Sequence, residues 1–234
     1  MTENDTTFQQ ITDISSADRT KFIRQTYLHV SIAVVGFILL ELVLFSTGIA
    51  ENIAYVLTKS RYTWVFVLAA FAFISFRVVS WCKASVSLQN QYLALFVYIL
   101  AESIIFVPVL YTASYYAPGT IEVMTFMTLF LLVSLFGIAL LTKKNFSFLK
   151  SSITIAGMLA IGAVVLGIVF GFSPSIFFSF AMLSLAGLCI LYHTTNLVNY
   201  HTHQYVAAGL GLFASFMLLF WYVMRIGLIL MGED

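Results

Sequence analysis

The sequence predicts an all-α, polytopic membrane protein of seven transmembrane helices, and three observations carry that expectation. Of its 234 residues 61% are hydrophobic and only 9% charged, against roughly 45–50% and about 25% in ordinary soluble domains. The charges gather in short stretches. Between those stretches lie seven apolar runs, each near the ~20 residues that a helix needs to cross hydrocarbon.

The runs fall at about 28–48, 63–82, 92–111, 122–141, 151–171, 175–193 and 205–231. The first carries Glu41 as its one acid. The second follows Lys59 and Arg61 and contains Arg77 near its end, and the third holds Glu102 and Pro108. The fourth and fifth are separated by the basic 142–150 stretch, the sixth begins after Ser173-Pro174, and the seventh follows the polar 194–204 connection. Each break is polar or rich in turn formers. A polar tail, 1–24, precedes the seven-helix domain of 25–231, and 232–234 form a short C-terminal tail. The tail carries acids before Arg19, Lys21 and Arg24, unlike a cleaved signal peptide, so the first span is expected to be retained.

With the N-terminus in the cytoplasm, Arg19, Lys21, Arg24, Arg77, Lys83, Lys143, Lys144 and Lys150 lie inside, against Lys59, Arg61 and Arg225 outside. That is the positive-inside pattern. Net charge is +1, which removes the electrostatic footprint of a nucleic-acid binder. Cys82 and Cys189 match neither a disulfide framework nor a paired zinc motif, and both read as small buried residues.

The last run differs from the rest. Ala207, Gly211 and Ser215 recur every four residues, beside Ala208, Gly209 and Ala214. Small residues permit close helix contact, so the first half of this span is expected to pack among other helices.

Ionisable groups in hydrocarbon cost roughly 2.5–3.5 kcal/mol on insertion scales and are default functional candidates. Glu102 sits mid-span within Leu100-Ala-Glu-Ser-Ile-Ile-Phe-Val-Pro-Val109. It is either a cation- or proton-binding group or a neutral hydrogen-bonded tie between helices. Pro108 cannot donate the helical bond to Ile104, so a kink and a cavity are expected beyond it. Glu41 could share a proton or cation with Glu102, or pair with Arg77. Arg77 and Arg225 can also snorkel to the headgroups. His193, His201 and His203 gather near the inner surface as pH-sensitive groups, without the converging ligand set of a metal site.

Enzyme signatures are missing: there is no His-Glu-x-x-His helix, phosphate loop or dinucleotide fingerprint, and Gly171-Phe-Ser-Pro174 lacks a nucleophile elbow's second glycine. A retinal protein needs a lysine within a late span, but the last is Lys150. An enzyme, a haem or other bound cofactor, and a metal are therefore not expected. Membrane lipids are the expected partners.

Thr142-Lys-Lys-Asn-Phe-Ser-Phe-Leu149, Ile190-Leu-Tyr-His-Thr194 and the Leu212-Phe-x-Ser215 to Met224-Arg-Ile226 helix resemble the Bax inhibitor-1 (TMBIM, lifeguard or YccA-like) membrane family, in its bacterial form, over about residues 22–228. The resemblance implies six helices around a central seventh and an association with calcium leak across membranes. It also implies a pH-responsive aspartate pair, one after Ile-Leu-Tyr and one on the last helix. This chain departs at both places, with His193 at the first and Ser215 at the second. Protonation of His193 would add positive charge and invert the effect on a passing cation. The resemblance thus suggests passive, pH-modulated calcium permeation with Glu102, Glu41 and His193 as stations. The alternative is a non-transporting membrane protein that stabilises other membrane complexes.

Overall fold

The computed structural model describes residues 15–141, 146–171 and 175–231. The readings placed on 1–14, on 142–145 with Lys143 and Lys144, on 172–174 and on the tail 232–234 lie outside the described residues. The described chain is helical, without strands. Its helices are α1 (Ser16–Ser46), α2 (Ile49–Thr58), α3 (Arg61–Ala84), α4 (Leu88–Tyr116), α5 (Thr120–Leu141), α6 (Leu149–Phe170), α7 (Ile176–Thr195) and α8 (Tyr205–Met231), with a 3-10 turn at Asn196–Asn199. Seven of them, all but α2, are long and apolar enough to span a membrane. Their surfaces carry exposed Phe126, Phe130, Met158 and Leu159, as lipid contact requires.

Two local features correct the sequence reading. Residues 16–24 are helix rather than tail, because Ser15 caps α1: its hydroxyl accepts from the Asp18 amide at 3.2 Å, satisfying a free donor of the first turn. Phe22 and Thr26 are then buried and anchor this segment to the bundle. The connection between the first two apolar runs contains α2, whose Ala50, Ala54 and Leu57 form one buried face at helical spacing. That face packs with Val107 of α4 and its neighbour Phe45 of α1. Gly48, at φ 73°, turns the chain between α1 and α2 in the left-handed region where a side chain would be strained.

Consecutive spans run in opposite directions. The starts of α1, α4, α6 and α8 therefore share one face of the bundle, called here the amino-terminal face. α8 is the centre. Of its most apolar window 83% is buried, against none of that of α6. α1, α3, α4, α5 and α7 pack directly on α8, and α6 completes the ring from outside against α7 and α3. Between lipid-solvated helices no expulsion of water drives association, so close contact must. Ala207 and Ser215 are buried as expected. A Cβ at Gly209 would lie 3.1 Å from both the Thr26 carbonyl oxygen and the His29 Cβ, and one at Gly211 would lie 3.1 Å from His193 Nδ1. The two glycines thus admit α1 and α7 to the axis.

Candidate functional site

α4 places Glu102 in the bundle interior, 5% exposed. Its carboxyl meets the hydroxyl of Tyr98, one turn earlier, and that hydroxyl also faces Ser75 of α3. The Tyr98 ring packs edge-on against Phe213 of α8. Tyr98 thus carries α4 into the α3–α8 interface, with Glu102 beside it on the same helix. Pro108 lies within α4 without ending it, and the Thr112 hydroxyl donates to the Pro108 carbonyl at 2.8 Å.

Glu41 is different. It is 7% exposed, and neither carboxylate oxygen has a hydrogen-bond partner among the described residues. It lines a cavity of about 520 Å³ bounded by α1, α4, α5 and α8. The wall is otherwise apolar apart from Ser114, Thr125 and Thr128. Its α4 wall, Leu110 and Ser114, lies just beyond Pro108, but the acid it holds is Glu41 rather than Glu102.

The two acids do not share a proton. Phe106, one turn beyond Glu102, packs its ring 5.2 Å from Phe37 and 5.4 Å from Phe220, and both of these line the Glu41 cavity. An aromatic cluster therefore separates them. Arg77 joins neither acid: it is exposed, about two turns before the end of α3, in keeping with a snorkelling side chain. Cys82 is buried, whereas Cys189 is only half-buried.

Toward the amino-terminal face, His193 of α7 rests on Gly211. The Ser215 hydroxyl donates to the Gly211 carbonyl of its own helix at 3.0 Å. A second histidine stands across the axis. His29 is 5% exposed, with Nδ1 2.7 Å from the Gln25 carbonyl oxygen and Nε2 2.9 Å from the Tyr92 hydroxyl. Sequence reasoning passed over it, since a single His at the start of an apolar run reads as an interfacial residue. Among the described residues, no three His, Cys, Asp or Glu side chains converge as a metal site.

The connection 196–204 covers this end of the bundle. Buried Gln91, at the start of α4, donates through Nε2 to the Ser85 carbonyl at 3.0 Å and the His203 carbonyl at 3.1 Å. Gln204 donates to the Lys83 carbonyl at 2.8 Å and accepts from the His201 amide at 2.9 Å. Two amide side chains thus pin the connection to the α3–α4 turn. His201 and His203 stack at 5.9 Å within it. Burial and the neighbouring His201 hold the His203 imidazole below its ordinary pKa.

The family model described as "Inhibitor of apoptosis-promoting Bax1" matches residues 19–233. No curated protein and no solved structure matches the chain. The matched segment spans all seven long helices, and the chain belongs to the Bax inhibitor-1 family of multi-pass membrane proteins.

Proposed function

We propose that this protein is a passive, pH-modulated path for cations, calcium foremost, across a bacterial inner membrane, with its amino-terminal face in the cytoplasm. One observation carries the reading: Glu41, buried beside the central helix, has no partner for either oxygen among the described residues. A carboxyl kept in a bundle without a partner is costly, and a visiting cation or proton is what completes it. Glu102 is the second station, beyond the Phe37, Phe106 and Phe220 cluster, an apolar constriction of the kind that gates channels. The connection held by Gln91 and Gln204 closes the cytoplasmic end. His193 packs against Gly211, where any proton it takes adds positive charge beside the path. Arg19, Lys21, Arg24, Lys83 and Lys150 at the amino-terminal face support the orientation.

The test is calcium release from loaded liposomes carrying the purified protein, over pH 5 to 8. Wild type is expected to leak faster than protein-free liposomes, with Glu41→Gln and Glu102→Gln slower than wild type. Equal flux for all four refutes the proposal. The alternative, a membrane protein that stabilises other complexes without transport, is favoured by the pairing of Glu102 with Tyr98 on its own helix, which steadies a ring that packs on Phe71 of α3 and Phe213 of α8. It predicts flux at the protein-free level together with loss of thermal stability in Glu102→Gln.

A further inference from the structure

The cavity around Glu41 has a shape and depth that an ion path does not need. α1 and α5 both pack on α8 and meet each other at the Tyr27–Phe136 rings, 5.4 Å apart, but elsewhere hardly touch among the described residues. Their lining residues Ile38, Leu42 and Leu129 are 47%, 61% and 44% exposed, so the cavity opens sideways, toward lipid. Phe216 and Phe220 of α8 form its floor. Its volume, about 520 Å³, falls within the ~300–1,000 Å³ of small-molecule sites.

The lining on α1 runs from Val34 to Phe45, about 16 Å along the helix at 1.5 Å per residue. That approaches half of the ~30 Å hydrocarbon thickness, the reach of one leaflet. Within that span Glu41 lies about 7 Å short of the end of α1 at Ser46. On its other side about 10 Å of wall, provided by Phe37, Val34 and Phe216, runs past the middle of the 28–48 span.

We infer that this cleft binds a single-chain amphiphile with a cationic amine head, which enters between α1 and α5, seats its ammonium on Glu41 and lays its chain against α8. The chain covers a wall that is otherwise apolar. The ammonium supplies the partner that neither carboxylate oxygen has among the described residues, in a charge-assisted hydrogen bond. A two-chain phospholipid fits less well, because its ammonium lies beyond its phosphate. Bringing that head to the depth of Glu41 would drag the phosphate into hydrocarbon. The site is independent of whether cations cross the bundle, since binding alone is claimed.

The test is photolabelling in phosphatidylcholine nanodiscs with dodecylamine carrying a diazirine on its chain, compared with the matching lauric acid probe. The amine is expected to label α1 and α5 peptides about tenfold more than the acid, the discrimination that a charge-assisted bond provides. Glu41→Gln should remove that preference. Ser114→Phe, which fills the cavity from an exposed edge of α4, should reduce labelling by both probes. Thermal unfolding of each variant, matched to wild type, shows that the fold is kept. Equal labelling by amine and acid in the wild type, labels mapping to α6, or an amine preference that survives Glu41→Gln would overturn the inference.

Discussion

Gly209→Val reads most directly on the packing of the central helix. A Cβ at Gly209 meets the Thr26 carbonyl oxygen and the His29 Cβ, each at 3.1 Å. Both atoms belong to the framework of α1, which can yield only by moving the whole helix. α1 is also held by the bond from His29 to Tyr92, so a shift there strains a second interface. Gly209→Ala gains up to ~1 kcal/mol of helix propensity, which offsets part of its tight contact. Valine adds two methyls where no space exists, and overpacking of that kind costs about 1–3 kcal/mol. Gly162 of α6 is the internal control, because a Cβ there meets nothing within 4 Å. Reversible unfolding of purified protein in mixed micelles, followed by tryptophan fluorescence, should rank Gly209→Val below Gly209→Ala and leave Gly162→Ala at or above wild type. If Gly209→Val unfolds together with wild type, α8 is not clamped by α1 and the central-helix account fails.

Other outcomes follow from the same geometry. Phe106→Ala removes the ring shared by Phe37, Phe220 and Trp221; it should lower unfolding stability by about 3–5 kcal/mol and raise calcium leak by thinning the aromatic barrier. Ser15→Ala deletes the cap of α1 and should cost ~1 kcal/mol, seen as faster amide exchange at residues 18–22. His203 titrates below its ordinary value because of burial and His201. Its folded form therefore binds fewer protons than the unfolded chain, so its share of stability is present above about pH 6.5 and is lost as pH falls toward its lowered pKa. Melting curves from pH 7.5 to 5.5 should show wild type losing more stability on acidification than His203→Gln; parallel loss would refute the assignment.

Much of the fold was legible because lipid imposes a simple rule. A span must be long and apolar, so seven runs gave seven helices, with ends displaced where polar residues continue a helix beyond hydrocarbon, as at Ser16–Tyr27. The short α2 escaped because ten residues with Glu51 and Asn52 on the open side cannot register as a span. The centrality of α8 was readable in Ala207, Gly211 and Ser215, since small side chains have little other use on a lipid-exposed face. The site was less legible. Glu41 and Glu102 stand out as costly residues, yet which way each faces depends on helix rotation, and Phe37, Phe106 and Phe220 separate them only in three dimensions. His29 acquires its meaning from Tyr92, 63 residues away. The cavity is a gap between α1 and α5, a property of packing that no single stretch of sequence encodes.

The central claim is a cation path with Glu41 at one end and a connection pinned by Gln91 at the other. Calcium efflux from liposomes containing wild type, Gln91→Ala, Glu41→Gln and the double variant tests both ends together. Gln91→Ala frees the Ser85 and His203 carbonyls and is expected to leak faster than wild type, while adding Glu41→Gln returns the double variant to the slow rate of Glu41→Gln alone. Fast leak that persists in the double variant, or efflux at the protein-free rate in all four, would contradict the account.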